Sequence, residues 1–262
     1  RGEPRVAQAV LQALAETAGS VLVFLSGVGE IRRVQALLED ALAGQPAIRV
    51  TPLYGDLDLN AQRQAIQPAP AGQRKVVLAT SIAETSLTIE GIESVVDAGL
   101  ARAAVFDPVS GMTRLHTQRV SRAAAEQRAG RAGRLGPGQC YRLWSEQQQA
   151  QLAAQTPPEM LQADLAPLAL LLAQWGVADA AELSWLDPPP AAPLQQGREL
   201  LERLGALQLS GNVWRITPHG QAMAELPMHP RLAHMLLRGQ ALGYARLALQ
   251  LAALLSERDV LR

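Results

Sequence analysis

Residues 127 to 134 read Gln-Arg-Ala-Gly-Arg-Ala-Gly-Arg, with three arginines and two glycines in eight positions behind Gln127. A guanidinium is permanently charged and planar, and its forked donors match phosphate oxygens two at a time. Arg131 and Arg134 are three apart, so they share a face if the segment is a helical turn. Gly130 and Gly133 leave the backbone bare, and a bulky anion can approach it. The chemistry this suits is a polyphosphate clamp, with arginines placed for charge that builds during phosphoryl transfer. A solvated basic helix end is the competing reading. It has no use for two glycines, each about 1 kcal/mol worse than alanine inside a helix.

A second run precedes it. Lys75 to Ala79 is an apolar stretch with the pattern of a buried strand, and Ala79-Thr80-Ser81-Ile82-Ala83-Glu84-Thr85-Ser86-Leu87-Thr88-Ile89 follows from its end. Open α/β sheets place their ligands at the C-terminal ends of strands. Thr80, Ser81, Thr85, Ser86 and Thr88 bring five hydroxyls into nine residues, a set that can meet phosphate oxygens without adding charge. Helix capping and turn chemistry use the same residue types.

Together these runs resemble motifs V and VI of superfamily 2 helicases in their DEAH-box branch, and within it the bacterial HrpB type. The resemblance extends over essentially the whole chain. It implies an ATP-dependent helicase that translocates on single-stranded RNA or DNA, with ATP and Mg2+ as cofactors. By it, Arg131, Arg134 and Gln127 serve catalysis, the arginines reaching the γ-phosphate and Gln127 orienting phosphate or water. Ser86, Thr88 and Glu90 lie near the nucleotide. Ile66 falls where many relatives carry an aromatic that stacks on the base. Ser26 and Gly27, in the turn resembling motif IV, face the nucleic-acid backbone together with Thr80 and Ser81. A β-hairpin at about 102–120 follows motif V, with Arg102, Arg114 and Arg119 as phosphate contacts. The alternative for those three is a solvated edge hairpin whose arginines discourage pairing with other strands. Many relatives have Asn at the position of Ser81 and Asp at that of Glu90.

The elements that must hold these residues follow from pattern. Val6, Val10, Leu11 and Leu14 recur at helical spacing, and Val21 to Leu25 is a continuous apolar run, as in a strand covered on both faces. Ser26-Gly27-Val28-Gly29-Glu30 then leads into a helical face of Ile31, Val34, Leu37, Leu38 and Leu42. Strands are expected at 48–54, 75–79, 92–97 and 138–144, with a short helix at 59–66. The fold expected is α/β, a RecA-like parallel sheet followed by an α-rich winged-helix domain and the start of a helical bundle. The domains expected are 1–148, 149–226 and 227–262. In the second, Leu161 to Trp175 marks a buried helix, 194–204 another, and 207–209 with 213–216 a small hairpin. Winged helices can read DNA through their second helix. Here Arg198 and Arg203 stand against Glu199 and Glu202, so a packing role fits better.

Composition narrows the partners. The chain has 262 residues, 48% hydrophobic and 18% charged, the make-up of a globular protein with a sizeable core. The formal net charge is zero, so attraction for nucleic acid must be local. Residues 102–134 supply it, with seven arginines against Asp107 and Glu126. The single cysteine, Cys140, excludes an internal disulfide and suits a reducing cytoplasm; its apolar surroundings make it an expected core residue. The tryptophans and methionines also read as core. His116, His219, His229 and His234 show no metal-ligand spacing, so no metal site is expected. No apolar run approaches the ~20 residues that span a bilayer, and no membrane partner is expected.

Two absences complete the expectation. A phosphate-binding P-loop needs Gly-Lys-Ser/Thr, but the only lysine, Lys75, follows Arg74. No histidine follows Asp-Glu-x, the pattern of the magnesium-binding DEAH tetrapeptide. The expectation is therefore half of a composite ATPase site, inactive alone. The other wall would come from an N-terminal RecA-like domain of the same gene product, which would bind most of the Mg2+. The opening on Arg1 without Met agrees with a fragment. The competing class is a non-enzymatic winged-helix nucleic-acid-binding or interaction module.

Overall fold

A computed structural model describes residues 2–85, 87–134 and 136–256. Packing divides the chain into two compact units, one of residues 1–104 and 115–157, the other of 105–114 and 158–262.

In the first unit, α1 (Glu3–Glu16), β1 (Ser20–Phe24), α2 (Val28–Ala41), β2 (Ile48–Leu53), α3 (Leu59–Ile66), β3 (Arg74–Ala79), α4 (Ile82–Thr85) and β4 (Ile92–Asp97) follow in order. Two strands, β5 (Leu100–Asp107) and β6 (Met112–Arg119), then pair as a hairpin. The base of this hairpin belongs to the first unit and its tip, residues 105–114, to the second. Helix α5 (Arg122–Ala129), β7 (Gln139–Arg142) and α6 (Glu146–Ala150) complete the first unit. Its five strands form a parallel sheet in the order β2-β3-β1-β4-β7.

The alternation of side chains along β1 explains its unbroken apolar run. Val21 and Val23, with Leu25 just beyond, pack under α1 and α2 with Val76, Leu78 and Val96. Leu22 and Phe24 face the other way, against Val77, Ala79, Ala83, Val95 and Ala132. A strand covered on both faces needs no polar positions. The same alternation turns two adjacent cations on β3 into helix caps. Arg74 donates to the carbonyls of Leu14, Thr17 and Gly19, around the end of α1. Lys75, only 4% exposed, donates to the carbonyls of Gln64, Ala65 and Gln67, around the end of α3. Each cation meets carbonyls that a helix terminus leaves without partners.

Edge position corrects one expectation. Cys140 is exposed. It lies on β7, a four-residue edge strand whose first two side chains face solvent.

The second unit contains α7 (Ala166–Gln174), α8 (Ala191–Arg203), β8 (Leu207–Ser210), β9 (Val213–Ile216), α9 (Pro218–Ala224), α10 (Pro230–Ala241) and α11 (Ala245–Ser256). Strands β8 and β9 pair antiparallel. Leu165, Leu170, Leu172, Leu194, Leu201, Leu207 and Met223 are the large members of its core. Gly197 sits at the α7–α8 contact; a Cβ there would lie 2.9 Å from the backbone nitrogen of Ala166. The helix expected at 161–175 starts later, at Ala166, and three of its expected core residues are exposed: Leu161 by 53%, Leu171 by 38% and Trp175 by 63%. Leu161 lies in a separate short turn (Glu159–Leu161), and Trp175 caps the end of α7. Met112, on β6, is likewise exposed rather than core. Helices α10 and α11 meet through small residues, Gly239 against Ala248, which leaves Leu247, Leu249, Leu254 and Leu255 exposed. The expected bundle region runs to 262, and 257–262 lie outside the described residues.

Among the described residues no helix is long and apolar enough to cross a membrane.

Candidate functional site

The sheet register brings three loops to one edge. Phe24 is level with Ala79 and with Asp97. Ser26 and Gly27 after β1, Thr80 and Ser81 after β3, and Asp97 at the end of β4 therefore share the C-terminal edge of the sheet, where such sheets bind ligands.

Ser121 caps α5, accepting from the Ala124 N–H at 3.1 Å. The helix ends at Ala129, so Arg131 and Arg134 lie beyond it in a turn rather than on a helical face. The Arg131 N–H still donates to the Arg128 carbonyl at 3.1 Å. Gly138 closes this turn from the other side, because any Cβ there would lie 2.3 Å from the Ala132 carbonyl oxygen. Among the described residues, a Cβ at Gly133 would meet nothing within 4 Å, so the backbone there is open to an incoming group.

The three arginines separate by environment. Arg128 is fully buried. Its Nε donates to Glu84 Oε2 and its Nη1 to Asp97 Oδ1, both at 3.0 Å, and its guanidinium lies 4.8 Å from the centre of the Phe24 ring. Burial pushes the Asp97 carboxyl above its ordinary range, and the Arg128 charge opposes that. Arg131, 8% exposed, donates through Nη1 to the Leu87 carbonyl at 2.9 Å and through Nη2 to the Glu84 carbonyl. Desolvation first, then the Arg134 charge, lowers its pKa, with Glu84 opposing. Arg134 is exposed and donates to Thr88 Oγ1 at 2.8 Å.

Arg131, Arg134 and Thr88 thus meet at the junction of the two motifs. Gln127 is exposed on α5, Glu90 is exposed in the turn before β4, and Ile66 is half-buried at the end of α3. Ser86 lies outside the described residues. The residue that the sequence reading missed is Arg128. It was counted as one more basic residue, and only burial distinguishes it from its neighbours.

The expected nucleic-acid contacts divide. Arg102 covers Gly27, since a Cβ at that glycine would lie 2.7 Å from the guanidinium carbon. Its Nη2 reaches Glu30 at 3.5 Å. Ser26 is buried. Ser81, Arg102 and Arg119 line a common cavity of about 300 Å³ with Gln118, Thr156 and Gln155. Arg114 belongs to the hairpin tip, in the other unit.

Two guanidinium groups, a threonine hydroxyl and open backbone beside them fit a polyphosphate. A second set of hydroxyls and arginines, at the ends of neighbouring strands, fits a nucleic-acid backbone. The chain belongs to the helicase conserved C-terminal domain family, whose model matches residues 5–136. Within that family its likeness is to HrpB-type DEAH helicases. It is 51% identical over 257 residues to the ATP-dependent RNA helicase HrpB of Escherichia coli (strain K12), across 98% of this chain and 31% of that protein. It is 40% identical over 252 residues to the pre-mRNA-splicing factor ATP-dependent RNA helicase prp22 of Schizosaccharomyces pombe (strain 972 / ATCC 24843), across 94% of this chain and 21% of that protein. Two crystal structures of Escherichia coli HrpB, described as a DExH-box NTPase and as a DEAH/RHA helicase, each cover the whole chain at 50% identity, with TM-scores of 0.90 and 0.91. The chain spans about a third of those structures.

Proposed function

We propose that this chain is the second motor lobe, with the adjoining helical domain, of an ATP-dependent RNA helicase of the DEAH type. The observation that carries the reading is the junction of Arg131, Arg134 and Thr88 beside open backbone at Gly133. Arg131 and Arg134 would take the γ-phosphate of ATP when a first RecA-like lobe closes on this one, and Gln127 would orient phosphate or water. Ser86, Thr88 and Glu90 would lie along the nucleotide, with Ile66 against the base. The first lobe would supply the P-loop and hold Mg2+, which neutralises charge on the β and γ phosphates when bound. The chain by itself would not hydrolyse ATP. Its coverage of less than a third of its helicase relatives supports that division.

Ser26, Gly27, Thr80, Ser81, Arg102, Arg114 and Arg119 would grip the backbone of single-stranded RNA. Such contacts carry little base information, so translocation would be independent of sequence. We assign the second RecA-like domain of the helicase to 1–148, a winged helix to 149–226 and the start of a ratchet-like bundle to 227–262. The order α7, α8, β8, β9 is the helix-helix-hairpin pattern that supports the winged helix. Cytoplasmic residence accords with a lone cysteine.

The test is the ATPase rate of the full-length gene product with no polymer, with single-stranded RNA and with single-stranded DNA. Stimulation by RNA is expected. A full-length protein that binds RNA but never hydrolyses ATP would replace this reading with the non-enzymatic module.

A further inference from the structure

Building on that reading, we propose that Glu84 is a positioning residue that couples the nucleic-acid-facing turn at Thr80 and Ser81 to the phosphate-binding Arg131. Three connections converge on it. The Glu84 N–H donates to the Ser81 carbonyl at 2.9 Å, and the Ala83 N–H donates to that of Thr80 at 3.3 Å, so α4 and the turn are one hydrogen-bonded piece. The Glu84 carboxylate accepts from Arg128 at 3.0 Å. The Glu84 carbonyl accepts from Arg131.

The two arginines hold Glu84 in different ways. Arg128 is fixed: it is fully buried, lies on the Phe24 ring and has Asp97 at 3.0 Å as a second anion. Arg131 is exchangeable, because both of its acceptors, the carbonyls of Glu84 and Leu87, are neutral. A guanidinium gains full charge–charge attraction from an anionic phosphate oxygen, which a neutral carbonyl does not offer. Capture of a γ-phosphate by Arg131 would therefore strip the carbonyls of Glu84 and Leu87 of their donor. The segment would be released at its Arg131 end and stay pinned through the Glu84 carboxylate at its Arg128 end. Linkage is reciprocal, so RNA that repositions Thr80 and Ser81 would also bias Arg131 between carbonyl and phosphate.

Glu84→Gln keeps the size of the side chain and weakens its hold on Arg128. In the full-length protein, the ratio of RNA-stimulated to basal ATPase rate should fall by about tenfold, within the range of ordinary coupling energies. RNA affinity by fluorescence anisotropy without nucleotide should change less than about threefold, because Glu84, although it lines the cavity shared by Ser81, Arg102 and Arg119, turns its carboxylate to Arg128. Arg128→Lys, whose single ammonium cannot serve Glu84 and Asp97 as a fork does, should reproduce the fall. A wild-type stimulation ratio in Glu84→Gln overturns the inference, even if the variant melts lower, since a merely structural role would lower stability alone. If both variants fail to fold, hydrogen exchange on the wild-type full-length protein decides. Adding a non-hydrolysable ATP analogue without RNA should speed exchange across 83–88, and unchanged exchange there overturns the inference. A full-length protein with no RNA-stimulated ATPase removes the proposed function, and this coupling with it.

Discussion

Replacing Arg128 with methionine should be among the most destabilising single changes in the first unit. The substitution keeps an unbranched side chain over Phe24 and deletes two ion pairs, to Glu84 and to Asp97, each at 3.0 Å. Glu84 is partly exposed and can recover water, whereas Asp97 is fully buried. Breaking a buried pair by removing one partner costs about 3–5 kcal/mol, because a charge is left uncompensated. A domain holds only about 5–15 kcal/mol in total. At about 2–4 °C per kcal/mol for a unit of this size, the melting temperature should fall by roughly 6–20 °C. The loss depends on pH in a defined sense. Burial already raises the Asp97 carboxyl, and Arg128 opposes the rise, so its removal raises the carboxyl further. A folded-state pKa above the unfolded value, about 3.9, favours the folded state at low pH, and that advantage fades as pH climbs through the interval. Arg128→Met should therefore be worst at neutral pH and above, and recover toward wild type as pH falls through the raised Asp97 range. Asp97→Asn added to Arg128→Met should restore much of the loss at pH 7, since the amide carries no charge. Amide exchange of β1 and β4 in urea reads the first unit alone. A loss below about 1 kcal/mol, or no recovery from Asp97→Asn, would refute the buried-charge argument.

Lys75→Met leaves three carbonyls around the end of α3 without their donor. It should cost about 1–3 kcal/mol in urea unfolding, and a neutral result would show that water replaces the ammonium. Ile66 offers apolar contact without stacking, which is worth about 1–3 kcal/mol per base; kcat/KM of the full-length protein for ATP and GTP should therefore agree within about tenfold. A strong adenine preference would remove Ile66 from the base contact. In the second unit, His234 Nδ1 and His219 Nε2 lie 2.9 Å apart. Burial first, then the charges of His219 and Arg238, holds His234 below its ordinary value, against a backbone hydrogen bond with Leu204. Its unfolded form then binds the proton more readily, so the second unit should lose stability as pH falls through and below about 6.5. His234→Gln should flatten that profile; a wild-type profile already flat between pH 7.5 and 5.5 would contradict the shift.

The central sheet was legible because its strands are either continuous apolar runs or end in recognisable turns. Val21 to Leu25 needed no tertiary information, since both of its faces are covered. The junction of the motifs was legible as residue types and spacing, but the division of labour among its arginines was not. Arg128, Arg131 and Arg134 are chemically identical in sequence, and only the sheet edge decides that the first is buried between carboxylates. Cys140 misled for a related reason: an apolar neighbourhood in sequence says nothing about which strand forms the edge. Leu161 and Trp175 failed as core residues because α7 begins at Ala166 and ends at Gln174, placing them off its buried face. The transfer of the hairpin tip to the second unit has no local signal at all. It depends on contacts such as the Phe106 N–H donating to the Gln162 carbonyl at 2.7 Å.

Single-turnover ATP hydrolysis by the full-length protein, compared with Arg131→Ala and Arg134→Ala at saturating ATP and RNA, tests the phosphate assignment most directly. Each variant should lose on the order of 10³ in turnover, as arginine fingers do, while nucleotide-free RNA affinity stays near wild type. Near-wild-type turnover in both variants would mean that these guanidinium groups never reach the phosphate.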